Sequence, residues 1–309
     1  MHRHLTASGA HAAVQTSPTV ARSGRNARPR RTVTHRPSTW VELAGQGLLK
    51  ALSPKLPTVP TAPPPAALEP ATDFEIDRTE APGRLAATWF PADGETARGV
   101  VLLLHPWHGR GQAYFHRHRR IPVLRDAGYH VMSFDFGGIG ASGPTRRHFA
   151  DRDVLDAVRV AKGRAGERPL HLWGVCLGGF YGCLAMLEAT EVDSAFFEDV
   201  TPHPLTWSRR RAPWGRPAYR FFQTALPSAY RFLDLFEQAP RLSGRPTAWV
   251  SGAWNDTVLT QETREIARRA GGRALIVDDA KHLECMRRGR GSMVELALGT
   301  FAMGPPGRP

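Results

Sequence analysis

Apolar segments of strand length alternate with segments of helical periodicity from about residue 73 onward. The run GVVLLL at 99–104 is continuously apolar, which is typical of a strand covered on both faces. The segment DRDVLDAVRVAKGRA at 151–165 instead repeats its apolar residues at helical spacing. Strands that alternate with helices join through right-handed crossovers into a parallel sheet. The sequence therefore predicts one α/β domain, with a mostly parallel sheet and helices on both faces.

The segments outside this domain differ from it, and from one another, in composition. The N-terminal part is rich in Arg, Ser, Thr, Ala and His with few large apolar side chains, which is typical of disorder. A short amphipathic pattern and then a Pro-rich stretch, which is typical of a semi-rigid linker, follow it. The predicted organisation is a disordered basic tail at 1–38, a short amphipathic helix at 39–53, a Pro-rich linker at 54–71, the α/β domain at 72–304 with a short cap at about 200–243, and a tail at 305–309.

The net charge of +13 is concentrated near the N-terminus. Residues 1–70 hold nine Lys or Arg against two Glu, which gives +7. Nucleic acid and an anionic membrane are candidate partners for such a tail, but a solvated tail is the favoured interpretation. Three cysteines do not suggest a disulfide framework, and no apolar run approaches the roughly 20 residues of a membrane-spanning helix. The N-terminus also lacks a hydrophobic signal core, so we expect a cytoplasmic protein.

The segment LHLWGVCLGGF at 170–180 places Cys176 between an apolar strand and a helix-forming run. A nucleophile on such a turn needs small residues two positions before and after it, and Gly174 and Gly178 meet that need. Gly179 allows the helix start to pack close to the sheet. The N–H groups and dipole of a helix N-terminus favour a thiolate. The pattern predicts Cys176 as a nucleophile, and a buried structural cysteine is the alternative.

With this context the chain resembles the α/β-hydrolase superfamily over the whole predicted domain. In that superfamily the chain order is nucleophile, acid and histidine, with the acid after a late strand and the histidine after the last one. The resemblance implies Asp256, which follows WVSGAWN, as the acid and His282, which follows LIVDDAK, as the base. Asp199 or Glu198, at the end of SAFFED, is the alternative acid.

Acyl transfer also needs donors for a developing oxyanion. The backbone N–H of Leu177, directly after the predicted nucleophile, supplies the first. By resemblance the second comes from the loop after GVVLLL, where Trp107 is the first choice and His108 the second. Pro106 replaces the usual glycine in that loop, which leaves the register of this donor open.

Four histidines cluster in the sequence near this loop, but none has a cysteine or carboxylate partner at metal-ligand spacing. They are His105, His108, His116 and His118. We therefore expect pocket or surface histidines, with no metal and no cofactor. Cys183 and Cys285 are interpreted as core thiols.

The predicted cap mixes aromatic residues with eight arginines between residues 209 and 245. An aromatic lining suits an apolar acyl group, and arginines at its rim could hold a carboxylate or phosphate. The alternative is that the aromatic residues only pack the cap on the domain.

These features favour a hydrolase of a carboxylic ester, thioester or lactone that forms an acyl-cysteine intermediate on a small-molecule acyl substrate. Dienelactone-hydrolase-like enzymes carry a similar Cys/Asp/His set. The Gly-x-Cys-x-Gly-Gly box at 174–179 is also similar to that of polyhydroxyalkanoate synthases, so an acyltransferase is one alternative. A non-catalytic binding protein of the same fold is the other.

Overall fold

The computed structural model describes residues 68–94, 96–106, 111–143, 150–211 and 215–304. The predicted basic tail, amphipathic helix and C-terminal tail lie outside the described residues, as does the linker before Leu68.

The strands of the described chain form one eight-stranded sheet. In chain order they are β1 (Thr72–Asp77), β2 (Arg84–Phe90), β3 (Gly99–Leu104), β4 (Tyr129–Phe134), β5 (Leu170–Val175), β6 (Val192–Glu198), β7 (Thr247–Gly252) and β8 (Arg273–Val277). Their order across the sheet is β1-β2-β4-β3-β5-β6-β7-β8. β2 pairs antiparallel with β1 and β4, and the other neighbouring strands are parallel. The predicted, mostly parallel sheet is confirmed.

Helices connect the strands and cover the sheet. In the described residues the α-helices are α1 (Arg120–Asp126), α2 (Asp151–Ala165), α3 (Leu177–Met186), α4 (Thr206–Arg211), α5 (Gly215–Ala225), α6 (Pro227–Phe232), α7 (Leu235–Gln238), α8 (Thr260–Ala270), α9 (Cys285–Arg288) and α10 (Arg290–Ala302). The helical segment before β4 is divided into two parts. It starts as a 3₁₀-helix over Gly111–Arg119, and Arg119 adopts a left-handed φ of 56°, so α1 begins only at the next residue.

The central strands β3 and β5 are buried along their whole length. Successive side chains of a strand point to opposite faces, and the two faces belong to two separate apolar clusters. Leu102 and Leu172 pack in one cluster, and Leu103 and Trp173 pack in the other. Burial on both faces explains why these strands appear in the sequence as continuous apolar runs.

The cap follows β6 and consists of the short helices α4 to α7. A backbone hydrogen bond of 2.8 Å from the Leu235 N–H to the Pro202 carbonyl links the last helix of the cap to the start of the cap. Within the cap, the ring of His203 stacks on Tyr230 at 4.5 Å between centroids. The Tyr219 and Tyr230 hydroxyls are hydrogen-bonded to each other. Part of the aromatic content of the cap therefore serves internal packing.

Strands β5 to β8 are neighbours and run parallel, so their carboxyl ends lie at one edge of the sheet. In open α/β sheets this edge is where ligands bind. Cys176 follows β5, Asp199 follows β6, Asn255 and Asp256 follow β7, and His282 follows β8. The topology thus gathers every candidate catalytic side chain at one edge.

Candidate active site

Cys176 lies on a sharp turn between β5 and α3, with φ 51° and ψ −121°. A positive φ is disfavoured for a residue that carries a side chain, at a cost of about 1–3 kcal/mol. The neighbouring glycines make the turn sterically accessible. A Cβ atom on Gly178 would lie 2.3 Å from the His105 carbonyl oxygen, and one on Gly174 would lie 2.4 Å from the Gly179 Cα. The predicted need for glycine at both positions is confirmed.

Cys176 and His282 meet across 106 residues of chain. The distance from Cys176 Sγ to His282 Nε2 is 3.3 Å. The His282 side chain is 20% exposed, and Cys176 also keeps partial exposure. A thiol and an imidazole at this distance can exchange a proton directly. The structure thus brings together the nucleophile and the base that the sequence singled out.

Asp199 is the carboxylate near Nδ1, the second ring nitrogen of His282. Its Oδ2 lies 4.0 Å from His282 Nδ1, and its side chain is fully buried. Asp199 has a left-handed φ of 54° and accepts hydrogen bonds from the Leu283 N–H at 2.6 Å and from Asn255 Nδ2 at 2.8 Å. Burial and the neighbouring Glu198 carboxylate raise the pKa of Asp199 to about 7, and the donated N–H groups partly offset both effects.

Asp256, the first choice of the sequence analysis, lies elsewhere at the same edge. Its Oδ1 accepts a hydrogen bond of 3.3 Å from the Thr257 hydroxyl, and its side chain lines a cavity under the cap. The cause is the turn after β7, which directs the preceding residue, Asn255, toward the histidine instead. We therefore assign the role of the acid to Asp199, the alternative that the sequence left open, and not to Asp256.

Asn255 is a site residue that the sequence analysis did not identify. Its Oδ1 accepts the backbone N–H groups of Thr257 and Val258 at 3.0 and 2.9 Å, which fixes the orientation of the amide. Its Nδ2 therefore faces Asp199 Oδ1 at 2.8 Å and His282 Nδ1 at 3.2 Å. Because an amide NH₂ only donates, the contact with His282 is a hydrogen bond in the imidazole tautomer that carries its proton on Nε2. The only signal in the sequence was a second polar residue beside Asp256.

Burial, together with the carboxylates of Asp199 and Glu198, raises the pKa of the Cys176 thiol to about 12. A hydrogen bond from the Leu177 N–H opposes this shift. The helix N-terminus acts in the expected direction, but burial has the larger effect on the pKa of this thiol. A thiol with a raised pKa needs a base to take its proton at the moment of attack.

Of the two predicted oxyanion donors, the structure describes one. The Leu177 N–H lies at the first turn of α3 and hydrogen-bonds to the sulfur of Cys176. Trp107 and His108, the two choices for the second donor, lie outside the described residues.

Glu198, the other alternative acid, is engaged in a buried ion pair. Both of its carboxylate oxygens accept hydrogen bonds from Arg120 Nη2, at 2.7 and 2.8 Å, and both side chains are fully buried. The guanidinium also lies 5.0 Å from the ring centroid of Tyr114. The backbone carbonyl of Glu198 accepts the Cys176 N–H at 2.8 Å. The pair thus lies directly behind the nucleophile and fixes the end of β6.

His105 is buried, and burial lowers its pKa to about 4. Its Nδ1 donates to the Pro106 carbonyl at 2.8 Å and its Nε2 accepts the Phe136 N–H at 3.2 Å, so the ring is neutral and structural. Cys183 and Cys285 are buried in the apolar clusters, as predicted. In the part of the chain that the structure describes, no group of three or more His, Cys, Asp or Glu could hold a metal ion. No helix of that part is long and apolar enough to cross a membrane.

A cavity of about 590 Å³ lies between the cap and the turn after β7. It is lined by Arg209, Arg210, Arg216, Tyr219, Arg220, Gln223, Asp256 and Leu259. Among the described residues, Cys176 and His282 are not part of this lining. The cavity therefore does not enclose the thiol and the imidazole.

The fold and the elbow define an α/β hydrolase. The family model described as "alpha/beta hydrolase fold" matches residues 99–282, and the chain belongs to this family. Its sequence is similar to lysophosphatidylserine lipase ABHD12 of Danio rerio, 37% identical over 95 residues, which are 30% of this chain and 24% of that protein. It is also similar to protein ABHD12B of Homo sapiens, 32% identical over 91 residues, which are 29% and 25% of the two chains. The chain thus spans about a quarter of the length of these curated relatives.

Solved structures share the fold over most of the chain. The esterase Pf2001 of Pyrococcus furiosus superposes with a TM-score of 0.66, at 17% identity, over 82% of this chain and 98% of the esterase. The α/β hydrolase GrgF from Penicillium sp. sh18 has a TM-score of 0.58, at 16% identity, over 75% of this chain and 98% of GrgF. Sequence identities this low show that the fold is shared, and they show nothing further about this chain.

Proposed function

We propose that the chain hydrolyses carboxylic esters, thioesters or lactones through an acyl-cysteine intermediate. The observation that carries this proposal is the 3.3 Å contact between Cys176 Sγ and His282 Nε2 on a nucleophile elbow. A strained φ of 51° at a side-chain-bearing residue is itself a feature that clusters at active sites.

In the first half of the reaction, the Cys176 thiol gives its proton to His282 Nε2 while Sγ attacks the carbonyl carbon of the substrate. The carbonyl oxygen becomes an oxyanion, and the Leu177 N–H is the donor placed to stabilise it. The intermediate then collapses, the bond to the alcohol or thiol breaks, and the leaving group takes the proton from the imidazolium. The product of this half is a thioester on Cys176.

In the second half, His282 takes a proton from water, and the resulting hydroxide equivalent attacks the thioester carbon. Collapse releases the carboxylic acid, and the proton returns from the imidazolium to sulfur. If another alcohol, amine or thiol replaces this water, the same intermediate gives acyl transfer.

Asp199 is the proposed acid of the set, in place of Asp256. To accept the proton on Nε2, the imidazole must carry its other proton on Nδ1, where Asn255 now donates. The Asp199 Oδ2 at 4.0 Å is the acceptor available to that proton, and a small rotation of the ring would bring it into hydrogen-bond range. Catalytic hydrogen bonds are often long before substrate binds and tighten in the complex.

The names of the relatives support an ester-type substrate. A lysophosphatidylserine lipase is among the proteins that this chain resembles in sequence. We therefore place an acyl ester of a polar alcohol first among candidate substrates.

The test is hydrolysis of p-nitrophenyl esters of several acyl lengths by the wild type and by Cys176→Ala. The expected result is turnover that is lost in this variant and retained in Cys183→Ala, the matched control for loss of a buried thiol outside the site. Turnover that persists in Cys176→Ala would contradict the proposal. Absence of turnover, together with a Cys176 that does not react with iodoacetamide, would favour a non-catalytic binding protein. Faster release of p-nitrophenol when alcohols or thiols are added would favour an acyltransferase.

A further inference from the structure

The cap carries a charge imbalance that the reaction at Cys176 does not use. Residues 200–233 contain six arginines and no aspartate, glutamate or lysine. Three of the six arginines follow one another at 209–211. A solvated surface helix usually mixes both signs of charge, which lets neighbouring side chains compensate each other.

Much of this charge faces the cavity under the cap. On α5, residues 216, 219, 220 and 223 all line it. Their spacing of three, one and three residues defines one face of an α-helix. That face presents two guanidinium groups, a tyrosine and a glutamine. It is therefore a polar surface built for hydrogen bonding and not an apolar surface for packing.

The carboxylates nearby compensate this charge only in part. Arg210 is paired with Glu262 at 2.6 Å and also donates to the Thr257 carbonyl. The guanidinium of Arg209 lies 4.7 Å from the ring centroid of Tyr219, which orients it without neutralising it. Asp256 is the single carboxylate among the described lining residues.

Arg216 and Arg220 form no ion pair with any residue that the structure describes, and both are exposed to solvent in the cavity mouth. With Arg209 they give the lining three positive groups against one carboxylate. A cavity with this surplus attracts anions, and the planar guanidinium binds carboxylate and phosphate through two parallel hydrogen bonds.

The turn after β7 connects the cavity to the reacting atoms. Asp256 in the cavity wall directly follows Asn255, whose amide contacts His282. One turn of the chain therefore contributes both to the lining of the cavity and to the surroundings of the proposed base.

We propose that this cavity binds a phosphate or carboxylate group of the substrate, so that the preferred substrate is an anionic ester or thioester. This inference rests on the proposed function at Cys176 and adds to it the class of substrate. Arg216 and Arg220 make the principal contacts with the anionic group, and Arg209 adds a third charge to the site.

The first test compares substrates that differ only in charge. One pair places the charge on the acyl side, with the p-nitrophenyl half-ester of succinic acid against p-nitrophenyl butyrate. The other pair places it on the leaving group, with acetyl thioesters of mercaptopropionate against those of mercaptoethanol. The wild type is expected to favour the anionic member of at least one pair in kcat/KM. No preference in either pair would overturn the proposal.

The second test uses the double variant Arg216→Gln/Arg220→Gln, with Arg231→Gln as the matched control, since Arg231 is an exposed cap arginine outside the cavity. The preference for the anionic substrate is expected to fall about tenfold or more in the double variant, as for the loss of charge-assisted hydrogen bonds. The Arg231→Gln control is expected to keep the wild-type preference. An unchanged preference in the double variant would contradict the assignment.

A binding experiment separates this proposal from the proposed function. Titration of the wild type with inorganic phosphate and with glycerol phosphate, followed calorimetrically, requires no turnover. Binding that disappears in the double variant and persists in Arg231→Gln supports the anion site even if every ester fails as a substrate. Absence of binding in the wild type, together with no charge preference in the kinetics, overturns it.

Discussion

At a pH above the Asp199 pKa of about 7, replacing Asp199 by asparagine removes one negative charge and leaves a side chain of the same shape. The carboxylate lies 4.0 Å from His282 Nδ1, the distance that governs how strongly it stabilises an imidazolium. At an effective dielectric constant of about 20, two unit charges at this separation interact by about 4 kcal/mol. A loss of about 4 kcal/mol from the transition state lowers a rate by about 10³-fold.

Asp256→Asn is the matched control, because it removes the same charge from the next strand end. The Asp256 side chain lines the cap cavity, so we expect kcat for a neutral ester to change by less than about threefold, as for an exposed charge. Steady-state hydrolysis of p-nitrophenyl butyrate measures both variants, and thermal unfolding checks that both are folded. If Asp256→Asn abolishes turnover while Asp199→Asn retains more than about a tenth of it, the assignment of the acid is refuted.

Three further predictions concern the support of the site. Gly178→Ala should unfold at a distinctly lower temperature than the wild type, because its Cβ would lie 2.3 Å from a backbone carbonyl oxygen; equal thermal stability would contradict the steric argument. Glu198→Gln should lower the free energy of unfolding in urea by about 3–5 kcal/mol, because it leaves the buried Arg120 without its counter-charge; a change below about 1 kcal/mol would contradict this. Alkylation of Cys176 by iodoacetamide in the absence of substrate should accelerate with pH through pH 9 and beyond, because only the thiolate reacts and the thiol pKa is about 12; a plateau near pH 7 would show a resting thiolate.

The elbow could be predicted from the sequence because its requirements are local. Glycines at 174 and 178 are dictated by the clash that any Cβ would make, and those clashes are set within a few residues of Cys176 or by the adjacent strand. The sheet could also be predicted, since strands covered on both faces must be continuously apolar. The resemblance to the α/β-hydrolase superfamily then implied His282, because that superfamily carries its histidine after the last strand.

The acid could not be predicted in the same way. Strands β6 and β7 end in carboxylates at the same edge of the sheet, and their spacing from Cys176 does not distinguish them. The choice depends on the turn after β7, where the Asn255 side chain binds two backbone N–H groups and faces inward. The turn geometry therefore decides which side chain meets the histidine, and it is a property of the folded loop.

The protonation state of the Cys176 thiol and the Arg120–Glu198 ion pair could not be predicted from the sequence for a related reason. The helix N-terminus is visible in the sequence, but the burial that outweighs it is not. Arg120 and Glu198 are 78 residues apart in the chain, and only the packed structure shows that they are partners.

The central claim is that Cys176 carries the acyl group. Rapid mixing with p-nitrophenyl acetate, acid quenching within the first turnover and mass spectrometry of the digested protein measure this directly. The account predicts one acetyl group on the peptide that contains Cys176, formed in step with a burst of p-nitrophenol, and neither in Cys176→Ala. A burst without an acetyl group on that peptide, or one that survives in Cys176→Ala, would contradict it.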